Sequence, residues 1–319
     1  MALTPSGSVL DLFSGTSRVS HALKKAGHLV IANDLSTYAR ILATTYCQAD
    51  KEEHVRDVEL LIPELQKVKP IDGYFTDTFC RKSLFFQPKN GAKVDGIREA
   101  IKEKSLSPEL EAILLTSLME AADRVDSTTG VQMAYLKKWA QRSFNDLELR
   151  IPDLVPRVAL GKCRAYGFDA LDLAKRISAD VAYLDPPYNQ HSYLGNYHIW
   201  ESLVLWDKPE VYGVACKRVD TKVRKSDLNS KVKFADYFRQ VIATLRVKKI
   251  LVSFSNEGFI PRHEMETLLG QKGLVTTHAF DYKRYVGAQI GVYNPQGERV
   301  GETSHTTNLE YIFEVDVQP

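Results

Sequence analysis

The chain has 319 residues, of which 44% are hydrophobic and 26% charged, and its formal net charge is +2. This composition is ordinary for a globular protein and excludes a fibrous or intrinsically disordered chain. The small net charge means that any surface for nucleic acid must come from local patches. The length allows one large α/β domain with an insertion, or two modest domains.

The first thirty-odd residues alternate between apolar runs and small or polar residues. The predicted elements, in order, are a strand over residues 9–13, a turn of small residues at 14–17, a helix over Arg18–Lys25 that Gly27 can end, a strand over 28–32, and the polar pair Asn33-Asp34. The order strand, turn, helix, strand and acid indicates the start of a doubly wound α/β sheet.

Helical periodicity then dominates residues 76–156. Apolar residues fall on one face of a helix that Pro108 can begin, namely Leu110, Ile113, Leu114, Leu118, Ala121 and Val125. Residues 131–144 predict a further helix. We interpret residues 76–156 as a helical insertion in an α/β domain made of residues 1–75 and 157–319.

Strand patterns return after this segment. Val181–Leu184 and residues 249–254 are short apolar runs typical of buried strands, and residues 309–315 predict a closing strand. Asn-Pro-Gln-Gly at residues 294–297 is a turn signal, so we expect a hairpin at the end of a mostly parallel sheet.

Cysteine and histidine usage gives no sign of a metal site. Four widely separated cysteines lack CxxC or mixed Cys/His spacing: Cys47, Cys80, Cys163 and Cys216. We therefore expect reduced thiols, a cytoplasmic location and no bound metal. The first residues carry no basic segment followed by a long apolar core, so neither a signal peptide nor a membrane span is expected.

The most informative residues follow the strand Val181–Leu184. They are Asp185, Pro186, Pro187 and Tyr188. The two prolines fix φ and remove two N–H donors, so neither sheet nor helix can continue. The turn offers a carboxylate, backbone carbonyls and an aromatic face, which suit a planar base and its exocyclic amino group. An ordinary strand-to-loop turn is the alternative, because Asp and Pro are common in turns.

Three motifs taken together resemble the Dam-like family of DNA adenine-N6 methyltransferases. They are Asp-Leu-Phe-Ser-Gly-Thr at residues 11–16, the acid Asp34, and Asp-Pro-Pro-Tyr at residues 185–188. The resemblance covers nearly the whole chain, and residues 85–101 and 189–201 fit its restriction–modification branch. It implies a Rossmann-like, S-adenosylmethionine-dependent methyltransferase fold of the α/β class, with the helical insertion as the target-recognition region.

The resemblance also implies the cofactor-binding residues, namely Asp11, Phe13, Ser14, Gly15, Thr16, Asp34 and Asp169. Phe13 and Gly15 would lie against S-adenosylmethionine, Asp34 would bind its ribose, and Asp169 would accept a hydrogen bond from its adenine amino group. Asp169 alternatively caps the helix predicted over residues 171–176. A dinucleotide is disfavoured, because its Gly-x-Gly-x-x-Gly motif is reduced here to Gly15 alone.

The chain departs from this family at two places. Ser17 stands where many relatives carry a further glycine, and serine is small enough to be tolerated there. Relatives usually carry a Gly-Ser-Lys-type segment before the first strand, whereas this chain begins only eight residues before it. We expect weaker cofactor affinity, another segment in this role, or a truncated chain.

The resemblance implies a reaction on a base that has left the duplex. Asp185 and the carbonyl of Pro186 would each accept one N–H of the adenine amino group, and Tyr188 would stack on the ring. This is catalysis by positioning and electrostatic stabilisation. Alternatives are an RNA adenine-N6 methyltransferase, which the large insertion disfavours, and an inactive DNA-binding homologue, which the intact motifs disfavour.

Two segments are locally basic. Residues 81–104 carry seven Lys/Arg against three acids, and residues 208–233 carry eight against three. Such clusters suit double-stranded DNA, although either could be a solvated surface. The candidate DNA contacts are Arg81, Lys82, Lys217, Arg218, Lys283 and Arg284. A cognate restriction endonuclease is a further expected partner.

Four aromatic or imidazole residues follow the Asp-Pro-Pro-Tyr turn, namely His191, Tyr193, His198 and Trp200. They could line a pocket for the flipped base or serve as packing. Tyr193 or His191 is preferred over Trp200 for the pocket.

Overall fold

The structure is a computed structural model that describes residues 6–128, 130–283, 292–293, 299–301 and 307–318. The strands are β1 (Ser8–Asp11), β2 (Leu29–Asn33), β3 (Arg164–Tyr166), β4 (Val181–Leu184), β5 (Val211–Tyr212), β6 (Lys217–Arg218), β7 (Lys249–Ser255), β8 (Gly273–Lys283), β9 (Val292–Tyr293), β10 (Arg299–Gly301) and β11 (Thr307–Val317). The predicted α/β class is confirmed.

The α-helices are α1 (Arg18–Lys25), α2 (Thr37–Ala43), α3 (Lys51–Gln66), α4 (Tyr74–Thr76), α5 (Pro88–Glu103), α6 (Pro108–Asp123), α7 (Ala170–Ala174), α8 (Tyr193–Asn196), α9 (His198–Leu205), α10 (Phe234–Thr244) and α11 (Arg262–Gly270). Five of the α-helices, α2 to α6, lie between β2 and β3 in the chain. Among the described residues, no helix has the length and apolar run needed to cross a bilayer.

The chain divides into two compact units. The first comprises Met1–Leu173 and His191–Lys225, and the second comprises Ala174–Gln190 and Ser226–Pro319. The segment predicted as an insertion, residues 76–156, lies inside the first unit, because α6 packs against α2, α3 and α5. All four cysteines are buried in this first unit.

The first unit is built on three parallel strands. β2 pairs with β1 on one side and β3 on the other, so the carboxyl ends of these strands lie at one edge. Its core includes four phenylalanines that are fully buried: Phe75, Phe79, Phe85 and Phe86. Parallel strands place the loops that follow β1, β2 and β3 at the same edge, where α/β proteins bind ligands.

The second unit combines parallel and antiparallel pairing. β4 runs parallel to β7, with Leu184 opposite Val252, whereas β11 runs antiparallel to both β7 and β8. The antiparallel addition agrees with the expected closing strand. The turn predicted at residues 294–297 lies outside the described residues. This pairing places the carboxyl end of β4 at the same edge as Glu310 in β11.

The helix predicted over residues 131–144 is wrong. The structure has one turn of 3-10 helix there, Gln141–Phe144, after an irregular stretch. Long-range contacts fix that stretch, since the Gln132 side chain accepts a hydrogen bond from the backbone N–H of Ile199 at 2.8 Å. Tyr135 packs edge-on against Phe85. These tertiary interactions outweigh the local helical pattern.

Candidate active site

The turn after β1 is held open by a carboxylate. Gly15 has a φ of +47°, in the left-handed region that glycine adopts without steric cost. Its backbone N–H donates to Asp34 Oδ2 at 3.0 Å, and the backbone N–H of Ser36 donates to Asp34 Oδ1 at 2.8 Å. A Cβ atom at Gly15 would meet nothing closer than the Phe13 carbonyl oxygen at 4.0 Å, so the turn leaves space for a ligand.

Two hydroxyl groups of this turn are buried. Ser14 Oγ and Ser17 Oγ accept and donate no hydrogen bond within the described residues. Buried polar groups are normally satisfied, so this pair indicates a place for a polar ligand or water. Ser17 also has a φ of +59°, which explains why a glycine suits this position. The backbone of Ser17 is therefore strained, although its side chain is small enough for the position.

Asp34 follows the end of β2, and its carboxylate can accept further hydrogen bonds. Burial raises the pKa of its carboxyl group, the backbone hydrogen bonds from Ser36 and Gly15 oppose the rise, and the charge of Glu201 adds to it. An ionised carboxylate has about four lone-pair positions. The backbone hydrogen bonds from Gly15 and Ser36 and the hydrogen bond from the Ser36 side chain leave accepting capacity for a ligand hydroxyl group.

The loop after β3 is tied to β2 by Asn33, a contact that the sequence pattern did not reveal. The Asn33 amide donates to the backbone oxygens of Leu12 and Phe168, at 3.2 and 3.1 Å, and accepts from the N–H of Phe168 at 3.0 Å. This clamp presents Phe168, which is part exposed, beside Asp169. Asp169 Oδ1 accepts from Leu171 N–H at 3.0 Å, so it caps α7, as the alternative reading predicts.

Two further predicted cofactor residues occupy different environments. Asp11 is buried, and its Oδ2 accepts a hydrogen bond from Ser20 Oγ at 2.6 Å, which ties β1 to α1. Thr16 is exposed at the outer corner of the turn. Asp11 therefore holds together the strand and the helix on either side of the turn, whereas Thr16 is accessible to a ligand.

Glu201 in α9 fixes the start of α2. Its carboxylate is fully buried and accepts hydrogen bonds from the backbone N–H groups of Thr37 and Tyr38, at 3.2 and 2.9 Å. Arg224 donates to the same carboxylate at 2.8 Å. Because α2 begins just after Asp34, this buried ion pair helps to set the position of the acid.

The aromatic residues after the Asp-Pro-Pro-Tyr turn have different roles. Tyr193 is exposed and stacks on Tyr197, with ring centroids 6.4 Å apart. Trp200 and His198 are buried and pack against the phenylalanine core, and burial lowers the pKa of His198 to about 4. This placement leaves Tyr193 as a candidate for ligand contact and gives Trp200 a packing role.

In the second unit, Asp185 directly follows β4, and the pKa of its carboxyl group is raised. Its side chain is accessible to solvent but flanked by protein, and burial together with the charge of Glu310 raises its pKa to about 6. No hydrogen bond to its carboxylate comes from the described residues, so its oxygen atoms are available to a ligand. Glu310 is a second contributor that the sequence did not identify, held by Ser253 Oγ at 2.9 Å.

The rest of this turn is anchored to β7 and the loop after it. The backbone oxygen of Tyr188 accepts from Phe259 N–H at 2.9 Å, and its ring lies 5.9 Å from that of Phe254. Gly258 is needed beside Phe254, because a Cβ there would lie 2.3 Å from the ring. The Asp-Pro-Pro-Tyr turn is thus held in place at Tyr188, with Pro186 buried and Asp185 accessible.

The predicted DNA contacts differ in how exposed their side chains are. Arg81 and Lys82 are exposed and make ion pairs with Asp72 and Asp77, which contribute little to stability and can be exchanged for phosphate. Lys217 is part exposed. The side chain of Lys283 is not described, and Arg284 lies outside the described residues.

Arg218 departs from the prediction of a DNA contact. It is 2% exposed, and its guanidinium fork is engaged by Asp207 at 2.7 and 2.8 Å and by Asp220 at 3.0 Å. A guanidinium group that is buried and bonded to two carboxylates in this way is not accessible to a phosphate. Counting charges along the sequence cannot distinguish it from an exposed cation.

One cluster has ligand types that a metal ion could use. Glu53, His54 and Glu109 place an oxygen or nitrogen atom within 4.8 Å of one another. Lys162 Nζ lies between the two carboxylates, at 2.8 Å from Glu53 and 2.9 Å from Glu109. The ammonium group already supplies the positive charge, so we interpret the cluster as an ion-pair network.

Comparison with known proteins identifies the class to which these features belong. A sequence model of the D12 class N6 adenine-specific DNA methyltransferases matches residues 4–267. The chain is 30% identical over 306 residues to type II methyltransferase M.FokI of Planomicrobium okeanokoites, covering 86% of this chain and 45% of that protein. It is 30% identical over 286 residues to type II methyltransferase M.NlaIII of Neisseria lactamica, covering 86% of this chain and 83% of that protein.

A third relative is modification methylase StsI of Streptococcus sanguinis, with 31% identity over 298 residues, 88% of this chain and 45% of that protein. The chain belongs to the D12 class N6 adenine-specific DNA methyltransferase family. It spans about half the length of M.FokI and of the StsI methylase. Enzymes of this family methylate adenine in DNA, generally with S-adenosylmethionine, and the predicted resemblance is confirmed.

Proposed function

We propose that this chain is a site-specific DNA adenine-N6 methyltransferase of a restriction–modification system. It transfers a methyl group from S-adenosylmethionine to a flipped-out adenine of double-stranded DNA. The observation that carries the proposal is the accessible carboxylate of Asp185, which has no protein hydrogen bond from the described residues and stands beside the Pro186 carbonyl. A cognate restriction endonuclease is the expected partner of such a system.

The residues of the first unit fit the proposed cofactor. Asp34 accepts the ribose hydroxyl groups, the open turn at Gly15 receives the ligand, and the unpartnered hydroxyls of Ser14 and Ser17 meet its polar groups. Asp169, which caps α7, lies beside the exposed Phe168 and is the residue proposed to accept the adenine amino group. When bound, S-adenosylmethionine supplies an electrophilic methyl group on its sulfonium.

The residues of the second unit act on the methyl acceptor. The lone pair of an adenine amino nitrogen is delocalised into the ring, which makes it a poor nucleophile. Asp185 and the carbonyl oxygen of Pro186 each accept one N–H, which draws the nitrogen towards a pyramidal geometry and frees its lone pair. Tyr188 stacks on the base. The chain thus lowers the barrier by orientation and electrostatic stabilisation.

The proposal is tested by expressing the chain in a host that lacks adenine methylation and mapping modified bases across its genome. N6-methyladenine at one recurring motif is the expected result, and the motif gives the specificity. Unmodified DNA with methyladenine in RNA would replace the proposal by an RNA methyltransferase. No modification, in a chain that binds duplex DNA, would indicate an inactive homologue.

Replacing Asp34 with alanine is expected to weaken S-adenosylmethionine binding by about 1–3 kcal/mol, the loss of hydrogen bonds to a charged group. Isothermal calorimetry measures the dissociation constant. Asp72→Ala is the matched control, because it removes an exposed carboxylate of the same unit, one that pairs with Arg81 and has no place in the proposed cofactor site. An unchanged dissociation constant for Asp34→Ala would remove the acid from the cofactor site.

Replacing Glu310 with glutamine is expected to shift the acidic limb of the pH–activity profile downward by about 0.5–1 unit. Activity requires ionised Asp185, and the negative charge of Glu310 opposes that ionisation, so its removal lowers the pKa of Asp185 from about 6. Glu314→Gln is the control, because it makes the same change in the same strand, at a residue paired with Lys249. Equal shifts in both variants would contradict this coupling.

A further inference from the structure

A short hairpin in the first unit carries an apolar tip on a rigid base. β5 and β6 pair antiparallel, with Val211 opposite Arg218, and residues 213–215 form the tip. The turn is tight, because the N–H of Cys216 donates to the Gly213 carbonyl at 3.0 Å and both residues have a positive φ. We call residues 211–218 the β5–β6 hairpin.

The base of the β5–β6 hairpin is anchored from two sides. Cys216 is buried against the core of the unit, and Arg218 is fixed by Asp207 and Asp220. Tyr74 also donates its hydroxyl to the backbone oxygen of Pro209 at 2.8 Å, just before the hairpin. These contacts hold the strands, so the hairpin can present its tip without first becoming ordered.

The tip and the turn that follows it expose aliphatic side chains. Val214 is 76% exposed, Val223 is 80% exposed, and Val219 between them is also exposed. Isolated apolar residues on a surface are ordinary, whereas three exposed valines within ten residues, one on the anchored hairpin and two directly after it, indicate a contact surface.

Cations accompany these valines. Lys222 and Lys225 are exposed and make no ion pair within the described residues, and Lys217 contacts only the sulfur of Met133 there. Lys222 lies over the ring of Tyr212 in β5, with its nitrogen 4.1 Å from the centroid, so its ammonium group is held beside the hairpin. Asp207 and Asp220 are occupied by Arg218, so Lys217, Lys222 and Lys225 outnumber the one other carboxylate of residues 207–225, Glu210.

We propose that the β5–β6 hairpin is a DNA-contacting element, in which Val214 meets the bases and Lys217, Lys222 and Lys225 meet the phosphates. A two-stranded ribbon fits the major groove, where an aliphatic side chain contacts a thymine methyl group or enters a base step. The buried Arg218 thereby serves DNA binding through the hairpin that it holds. This inference deepens the proposed function and names a surface for the same substrate.

The test compares Val214→Asp with Leu60→Asp. Leu60 is a matched control because it is 73% exposed on α3 of the same unit, so both variants place the same charge at an exposed aliphatic position. Val214→Asp is expected to weaken binding to a duplex carrying the mapped motif on the order of tenfold, with Leu60→Asp near the parent. Calorimetric binding of S-adenosylmethionine shows whether each variant is folded.

A second variant tests the proposed phosphate contacts independently. The double change Lys222→Gln and Lys225→Gln is expected to lower the slope of log affinity against log salt by about two, one for each lysine. Parent-like binding by Val214→Asp and an unchanged slope in the double variant would overturn the inference. A change of sedimentation with unchanged DNA binding would also overturn it, in favour of a surface for a second copy.

The outcomes separate this inference from the proposed function. A parent that methylates no DNA contradicts the proposed function, and unmethylated genomic duplex is then the probe in the same binding comparison. Weaker binding by Val214→Asp alone would still support the hairpin contact. A parent that methylates its motif while Val214→Asp binds and methylates equally well would leave the function intact and exclude the hairpin.

Discussion

Replacing Asp185 with alanine is expected to lower the turnover number for adenine methylation by about 10²–10⁴-fold, the range for losing a group that acts on the reacting atoms. The substitution removes the acceptor for one amino N–H, so the nitrogen keeps its planar, delocalised lone pair. Single-turnover methylation of a duplex that carries the mapped motif measures the effect separately from product release.

Asp180→Ala is the matched control for this change. Asp180 directly precedes β4, at the opposite end of the same strand, and makes an exposed ion pair with Lys248 at 2.8 Å. Its loss is expected to leave turnover unchanged. Equal turnover by a folded Asp185→Ala variant and the parent would refute the role assigned to Asp185.

The raised pKa of Asp185 also makes a prediction about stability. A carboxyl group whose pKa rises from 3.8 to about 6 on folding stabilises the protein below about pH 4, and this contribution is lost as the pH rises through 6. Asp185→Asn, which cannot ionise, is therefore expected to increase the free energy of unfolding at pH 7. Because the side chain is accessible to solvent, we expect an increase of about 1 kcal/mol.

Replacing Arg224 with methionine is expected to lower the free energy of unfolding by about 1–2 kcal/mol, less than for a fully buried ion pair because the Arg224 side chain is about a third exposed. The substitution leaves the carboxylate of Glu201 buried without its cation. Cofactor binding should weaken as well, because Glu201 caps α2 just after Asp34. Denaturant unfolding and calorimetry measure the two effects.

Two further variants test this explanation. Arg239→Met breaks an exposed pair with Asp236 and is expected to cost less than about 1 kcal/mol. Adding Glu201→Gln to Arg224→Met removes the unpaired charge, so the double variant should regain part of the lost stability. Equal losses for Arg224→Met and Arg239→Met would show that the buried pair is not what stabilises this region.

Local signals in the sequence predict the elements that frame the site. Helix α1 and strand β4 have the predicted bounds, because a turn of small residues precedes α1 and two prolines end β4. The three motifs were also sufficient to indicate the family, since each combines a residue type with a position at the end of a strand.

The sequence could not predict contacts between residues that are far apart in the chain. Glu201 and Tyr38 are separated by 163 positions, and Asn33 and Phe168 by 135. The same limit explains the wrong helix at residues 131–144, where Gln132 is held by a partner 67 residues away. The burial of Arg218 is also of this kind, because a run of basic residues does not show which of them is buried against acidic partners.

The four buried cysteines make thiol labelling a measure of local opening. All of them lie in the first unit, so a thiol reagent added to the native protein reports on that unit alone. Cys216 lies at the base of the β5–β6 hairpin, whereas Cys47 and Cys163 lie against the backbone of Val30 in β2. Labelling rates at these positions compare the opening of the hairpin with that of the parallel strands, in the presence and absence of DNA.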